Sequence, residues 1–134
     1  MDVREYIKQN EGLSLKPYIC TGGKITIGVG HNLTDNGISE NIADMIFSED
    51  LDQAVNDLWS IFDPDKISKS NDRHVALIDL MFNLGKTRFL TFKRMIQAIK
   101  EKNWDKAANE LLDSKYATQV GQRAINNANF LRKG

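Results

Sequence analysis

Apolar residues recur at helical spacing at the head of the chain: Val3, Tyr6 and Ile7 follow Asp2, a residue suited to capping a helix, and Glu11 continues their stripe. Gly12 comes next, the usual residue where a helix ends in a left-handed turn. The pattern predicts a short helix whose last turn carries an inward-facing carboxyl. The negative end of the helix dipole and partial burial would both disfavour its charged form there. Taken alone, Glu11 is equally well a solvated helix-end residue, the usual fate of a glutamate. Beyond it, 18–20 and 25–29 alternate like strands joined through Gly22-Gly23. Ile25, Ile27 and Val29 fall on one face, predicting an apolar side, with Thr26, Gly28 and Gly30 on a bare polar side. Glycines beside a hydroxyl let a ligand approach the backbone, or merely permit a bend.

The remaining pattern is helical. Ser39 can cap a helix running through Phe62, with Phe47, Leu51, Ala54, Val55 and Leu58 on one face, until Pro64 closes it. Residues 71–83 are apolar nearly all round, which predicts a buried central helix and the hub of a larger lobe. Further helical stretches are read at 89–100, 104–112 and 118–129. The predicted fold class is α+β, mostly helical with one small sheet.

Composition narrows the class. A chain of 134 residues with 41% hydrophobic content can bury one core, divided at most into two small lobes. No linker, repeat or low-complexity tract interrupts it. The N-terminus lacks a basic start followed by an apolar run, and no stretch has membrane-spanning length, so a soluble protein made in a cytoplasm is expected. A single cysteine excludes an internal disulfide. His31 and His74 share no metal-ligand spacing with Cys20, so neither metal nor cofactor is expected. Gly28-Val29-Gly30 does not extend to a dinucleotide fingerprint, because Leu33 holds the third glycine's place.

The chemistry lies in the first fifth of the chain. Glu11, eight intervening residues, Cys20, five more, and Thr26 place a carboxyl, a thiol and a hydroxyl around one helix-to-hairpin transition. With Asn10-Glu11-Gly12-Leu13, Lys16-Pro17-Tyr18 and the run from Thr26 through Gly28-Val29-Gly30-His31 to Thr34, this segment resembles the phage-type lysozymes, the endolysin muramidases of T-even phages. Phe82-Asn83-Leu84-Gly85, Trp104-Asp105-Lys106-Ala107-Ala108 and Gln122-Arg123-Ala124 follow in the order of that family's C-terminal segments. The resemblance implies a small N-terminal lobe with a hairpin, about residues 12–58, joined by a long helix to a helical lobe made of about 1–11 and 59–134. It implies hydrolysis of the β-1,4 bond between N-acetylmuramic acid and N-acetylglucosamine in peptidoglycan, with inversion. Glu11 is then the general acid, and Cys20 and Thr26 position a water or stabilise the cationic transition state. By the same resemblance Asn32 and Phe82 contact substrate, though Phe82 suits a core equally well. His31 is structural with Asp50 as its partner. Arg123 lies near the acid, and would lower its pKa if the two paired. Met95 and Glu110 stand where the family has small polar substrate contacts.

Charge bears on the partner. Residues 1–64 carry four Lys/Arg against 11 Asp/Glu, and residues 65–134 carry 14 against seven, a split of −7 and +7. A basic half could meet an anionic polymer such as bacterial cell wall, or be ordinary solvated surface. Its cations are dispersed without an aromatic stacking platform, which argues against nucleic acid. The expected setting is a monomeric phage endolysin without stable membrane association. It would remain in the host cytoplasm until the membrane is permeabilised. Two rivals are a thiol peptidase or amidase using Cys20 with His31 as base, which leaves Glu11 and Thr26 unexplained, and a non-catalytic wall-binding module.

Overall fold

A computed structural model describes residues 2–67 and 71–134. The chain forms two compact units, Met1–Ile46 and Phe47–Gly134, and the division falls inside one long helix.

The first unit opens on helix α1 (Val3–Glu11). Asp2 caps it by accepting the Arg4 N–H at 3.0 Å, and Gly12, at φ 73°, closes it by donating its N–H to the Lys8 carbonyl. Both ends follow from residue type. An antiparallel sheet comes next, with β1 (Ser14–Ile19), β2 (Ile25–Gly28) and β3 (His31–Asn32) in sequence order. Strand β1 begins earlier than the alternation predicts. Its pairing is irregular between Ser14 and Tyr18, around Pro17, which has no N–H to give the ladder. The predicted faces are reversed at their centre: Ile25 is exposed and Thr26 is buried. Thr26 tolerates burial because its hydroxyl donates to the Lys24 carbonyl at 3.0 Å. Helix α2 (Leu33–Asn36), not predicted, follows directly.

Helix α3 (Glu40–Ile61) begins where Ser39 accepts the Ile42 N–H, and in the second unit it buries Ala54 and Leu58. A 3-10 turn (Pro64–Lys66) leads towards α4 (Asn71–Leu84), the hub, which packs on α9 (Gln122–Lys133). Between them run α5 (Lys86–Phe89), α6 (Lys93–Lys100), α7 (Trp104–Leu112) and α8 (Lys115–Val120). Leu58, Leu77, Leu80, Met81, Phe89, Met95, Ile99, Leu111 and Leu131 are fully buried, each large side chain contributing about 1.5–3 kcal/mol. Ala76, Ala107 and Ala128 are buried, one each on α4, α7 and α9, and α9 packs on both of the others. Arg73 ties the same three helices, its guanidinium over the Trp104 ring at 4.2 Å and its Nε donating to the Leu131 carbonyl.

Three helical readings are corrected. Helix α4 is not buried all round, since Val75 and Phe82 are exposed and Asp79 carries an ion pair. The stretch at 89–100 is two helices, because Thr91 folds back to donate its hydroxyl to the Arg88 carbonyl. That at 118–129 breaks at Gly121, whose φ of 60° ends α8.

Candidate active site

In the first unit, Glu11 is the last residue of α1 and is exposed, not inward-facing. A nine-residue helix ended by Gly12 delivers its carboxyl to the β2–β3 turn, where a Cβ on Gly30 would lie 2.6 Å from Oε2. Gly30 itself has φ 65°. Its positive φ makes the bend, and the chain's own carboxyl lies close against it.

Cys20 and Thr26 meet at the hairpin. The Cys20 N–H donates to the Lys24 carbonyl and the Gly23 N–H to the Cys20 carbonyl, both at 2.9 Å, which fixes a tight loop. Within it the Cys20 thiol is held below its ordinary pKa of 9.0, first by the Lys24 N–H and also by the Gly22 N–H. Sulfur here sits in a small nest of donors that favours its anion. Thr26 turns its hydrogen to Lys24, so its oxygen can still accept one.

The flanking residues are engaged otherwise than expected. His31 donates Nε2–H to the Gly37 carbonyl at 2.6 Å, the partner that Asp50 was expected to be. A main-chain acceptor six residues on is local to its own turn. Asn32 uses both ends of its amide on α2, accepting the Asp35 N–H at 3.0 Å and donating to the Asp35 carboxylate at 2.9 Å. That amide caps the helix.

In the second unit, Phe82 is exposed rather than core, edge-on to Phe47 with centroids 5.7 Å apart. It lines a shallow pocket of about 220 Å³ with Asp50 and Asp57. Arg123 pairs with Asp79, through Nε at 2.9 Å and a terminal nitrogen at 2.7 Å, while Asn127 donates to the same carboxylate. The Arg123 hydrogen bonds hold the Asp79 carboxyl below the usual range, against the opposing effect of burial, and Asp79 raises Arg123 in return. The partner weighed for Arg123 from sequence was Glu11. Asp79 was missed, although an acid on so apolar a helix was the available signal. Met95 and Glu110 border one larger pocket, of about 530 Å³, ringed by Arg88, Lys93, Arg94 and Lys115. Burial pushes the Tyr116 phenol up at its floor, where the hydroxyl donates to Asn83 at 2.7 Å.

Among the described residues no three His, Cys, Asp or Glu are grouped to hold a metal, and no helix is long and apolar enough to cross a membrane.

The family model for phage lysozyme matches residues 8–128, a span that holds Glu11, Cys20, Thr26 and Arg123. The chain belongs to the phage lysozyme family. It is 27% identical to a probable T4-type lysozyme of Dictyostelium discoideum, over 91% of this chain and 88% of the relative. It is 30% identical to an endolysin of Acyrthosiphon pisum secondary endosymbiont phage 1, over 87% and 80%. It also matches the pre-baseplate central spike protein of Enterobacteria phage T4 at 27% identity, covering 92% of this chain but 26% of that protein. As a member of that family the protein is a glycoside hydrolase.

Proposed function

We propose that this lysozyme hydrolyses the β-1,4 bond between N-acetylmuramic acid and N-acetylglucosamine in peptidoglycan, with Glu11 as general acid. Glu11 protonates the leaving glycosidic oxygen, and a water attacks the anomeric carbon from the opposite face. Cys20 and Thr26 orient that water: the sulfur and the Thr26 oxygen each accept one of its hydrogens, which leaves its lone pair for the sugar. A thiolate, favoured by the donors around it, also takes up the proton released by attack. The products are a new reducing end and inverted stereochemistry. The enzyme reaches the wall from the host cytoplasm once the membrane is permeabilised.

The observation that carries this reading is the environment of Cys20. Its thiol is lowered by the Lys24 and Gly22 N–H groups, with no contribution from an imidazole, and the Nε2–H of His31 is committed to Gly37. A thiol peptidase needs an imidazole to activate its sulfur. Analysis of the ends released from purified peptidoglycan tests the reaction. New reducing sugar without free amine supports glycan cleavage, and free amine without reducing sugar would replace it with peptide or amide cleavage.

A further inference from the structure

A depression of about 320 Å³ in the second unit is lined by Lys66, Lys100 and Lys102, with Asp63 beside them and Ile67 and Ile99 as its floor. Lys66 comes from the 3-10 turn, Lys100 from the end of α6 and Lys102 from the residues just beyond it. Among the described residues none of the three lysines has an ion-pair partner. Asp63 spends one carboxylate oxygen capping the turn at the Asp65 N–H and keeps the other free.

Lys102 supplies an independent observation. It has φ 59°, the only left-handed residue other than glycine among those described. Its N–H donates to Ile99 and that of Asn103 to Ala98, the paired bonds of a helix end at which glycine is the usual occupant. A lysine there strains the backbone, and strain of this kind persists at places selected for something other than stability.

We propose that Lys66, Lys100 and Lys102 form a phosphate-ester site, separate from the Glu11 site, that takes a glycerol phosphodiester. Three ammonium groups around one concavity act as point charges, which suits phosphate oxygens on several sides better than a planar carboxylate. The free oxygen of Asp63 accepts a glycerol hydroxyl. The same chemistry occurs in polyol-phosphate wall polymers and in phosphatidylglycerol headgroups.

The test is binding of the full chain to fluorescent oligo(glycerol phosphate) and, separately, to phosphatidylglycerol vesicles. Saturable, salt-sensitive binding of either probe is expected, and which one binds identifies the source. The triple variant Lys66→Ala, Lys100→Ala, Lys102→Ala should lose on the order of tenfold in affinity. Lys86→Ala, Lys106→Ala, Lys133→Ala, removing equal charge elsewhere in the unit, should lose less than half of that on a logarithmic scale. Lys102→Gly should weaken binding several-fold while raising Tm by about 3 °C, since glycine relieves the backbone. Absence of binding to both probes, equal losses in the two triple variants, or unchanged binding by Lys102→Gly would overturn the proposal.

Discussion

Cys20 separates the two enzymes the sequence admits, because a carboxylate can orient water but cannot form the thioester a cysteine nucleophile requires. Cys20→Asp is expected to retain lysis and to change its pH dependence. In the parent, thiolate forms as pH rises through a value below 9.0, so the rate should climb across that range. Aspartate is already ionised there, so the climb should vanish; a parallel climb in the variant would remove Cys20 ionisation from the mechanism. Gly30 tests the acid's position. Gly30→Ala would place its methyl against the Glu11 carboxyl, whereas Gly28→Ala, at φ 68°, meets nothing within 4 Å. Both incur about 1–2 kcal/mol of backbone strain, and only Gly30→Ala should also reduce kcat, by tenfold or more for a displacement near 1 Å. Equal kcat in the two variants would contradict that contact. The spacing of Glu11, Cys20 and Thr26 was legible because it is local chemistry on one short segment. Asp35 as partner of Asn32, and Asp79 as partner of Arg123, were not, since each choice depends on which acid the folded backbone brings within reach.

At the scale of elements, caps were readable and breaks were not. Asp2, Gly12 and Ser39 bond within their own turn, so their residue types suffice to mark helix ends. The corner at Gly121 and the fold-back at Thr91 lie inside stretches whose apolar spacing continues across them, and periodicity alone fuses each pair of helices. Thr26 was misplaced for a related reason: alternation assigns faces, but it does not register that a hydroxyl with its own carbonyl acceptor can be the buried member. The α4–α9 contact has a testable polar component in Asp79, Arg123 and Asn127. Because the folded state holds the Asp79 carboxyl below 3.8, its extra stability is complete above the unfolded value and is lost as pH falls through the folded one. Asp79→Asn should therefore cost about 1 kcal/mol at neutral pH, given that the pair is partly exposed, lowering Tm by about 3 °C. That deficit should close in acid, as pH falls through the folded value and the parent carboxyl is protonated too. A deficit independent of pH in thermal melts would assign it to packing rather than charge.

For the whole molecule, the charge division follows an element and not a unit. No Lys or Arg occurs from 25 to 65, and α3 alone carries Glu40, Asp44, Glu49, Asp50, Asp52 and Asp57. Counted by compact unit, the first holds four Lys/Arg against six Asp/Glu and the second 14 against 12, which reduces the contrast to −2 and +2. What remains basic is local, as around the pocket ringed by Arg88 and Lys115, and in the lysine-lined depression at the end of α6. The central claim is that the exposed carboxyl ending α1 donates the proton that breaks the glycan. Its most direct test is the rate at which Glu11→Gln, verified as folded by its melting temperature, clears permeabilised bacteria and releases reducing ends. The account predicts a loss of about a hundredfold or more in both, because an amide cannot supply that proton. Clearing and sugar release at near-parental rates by the folded variant would contradict it.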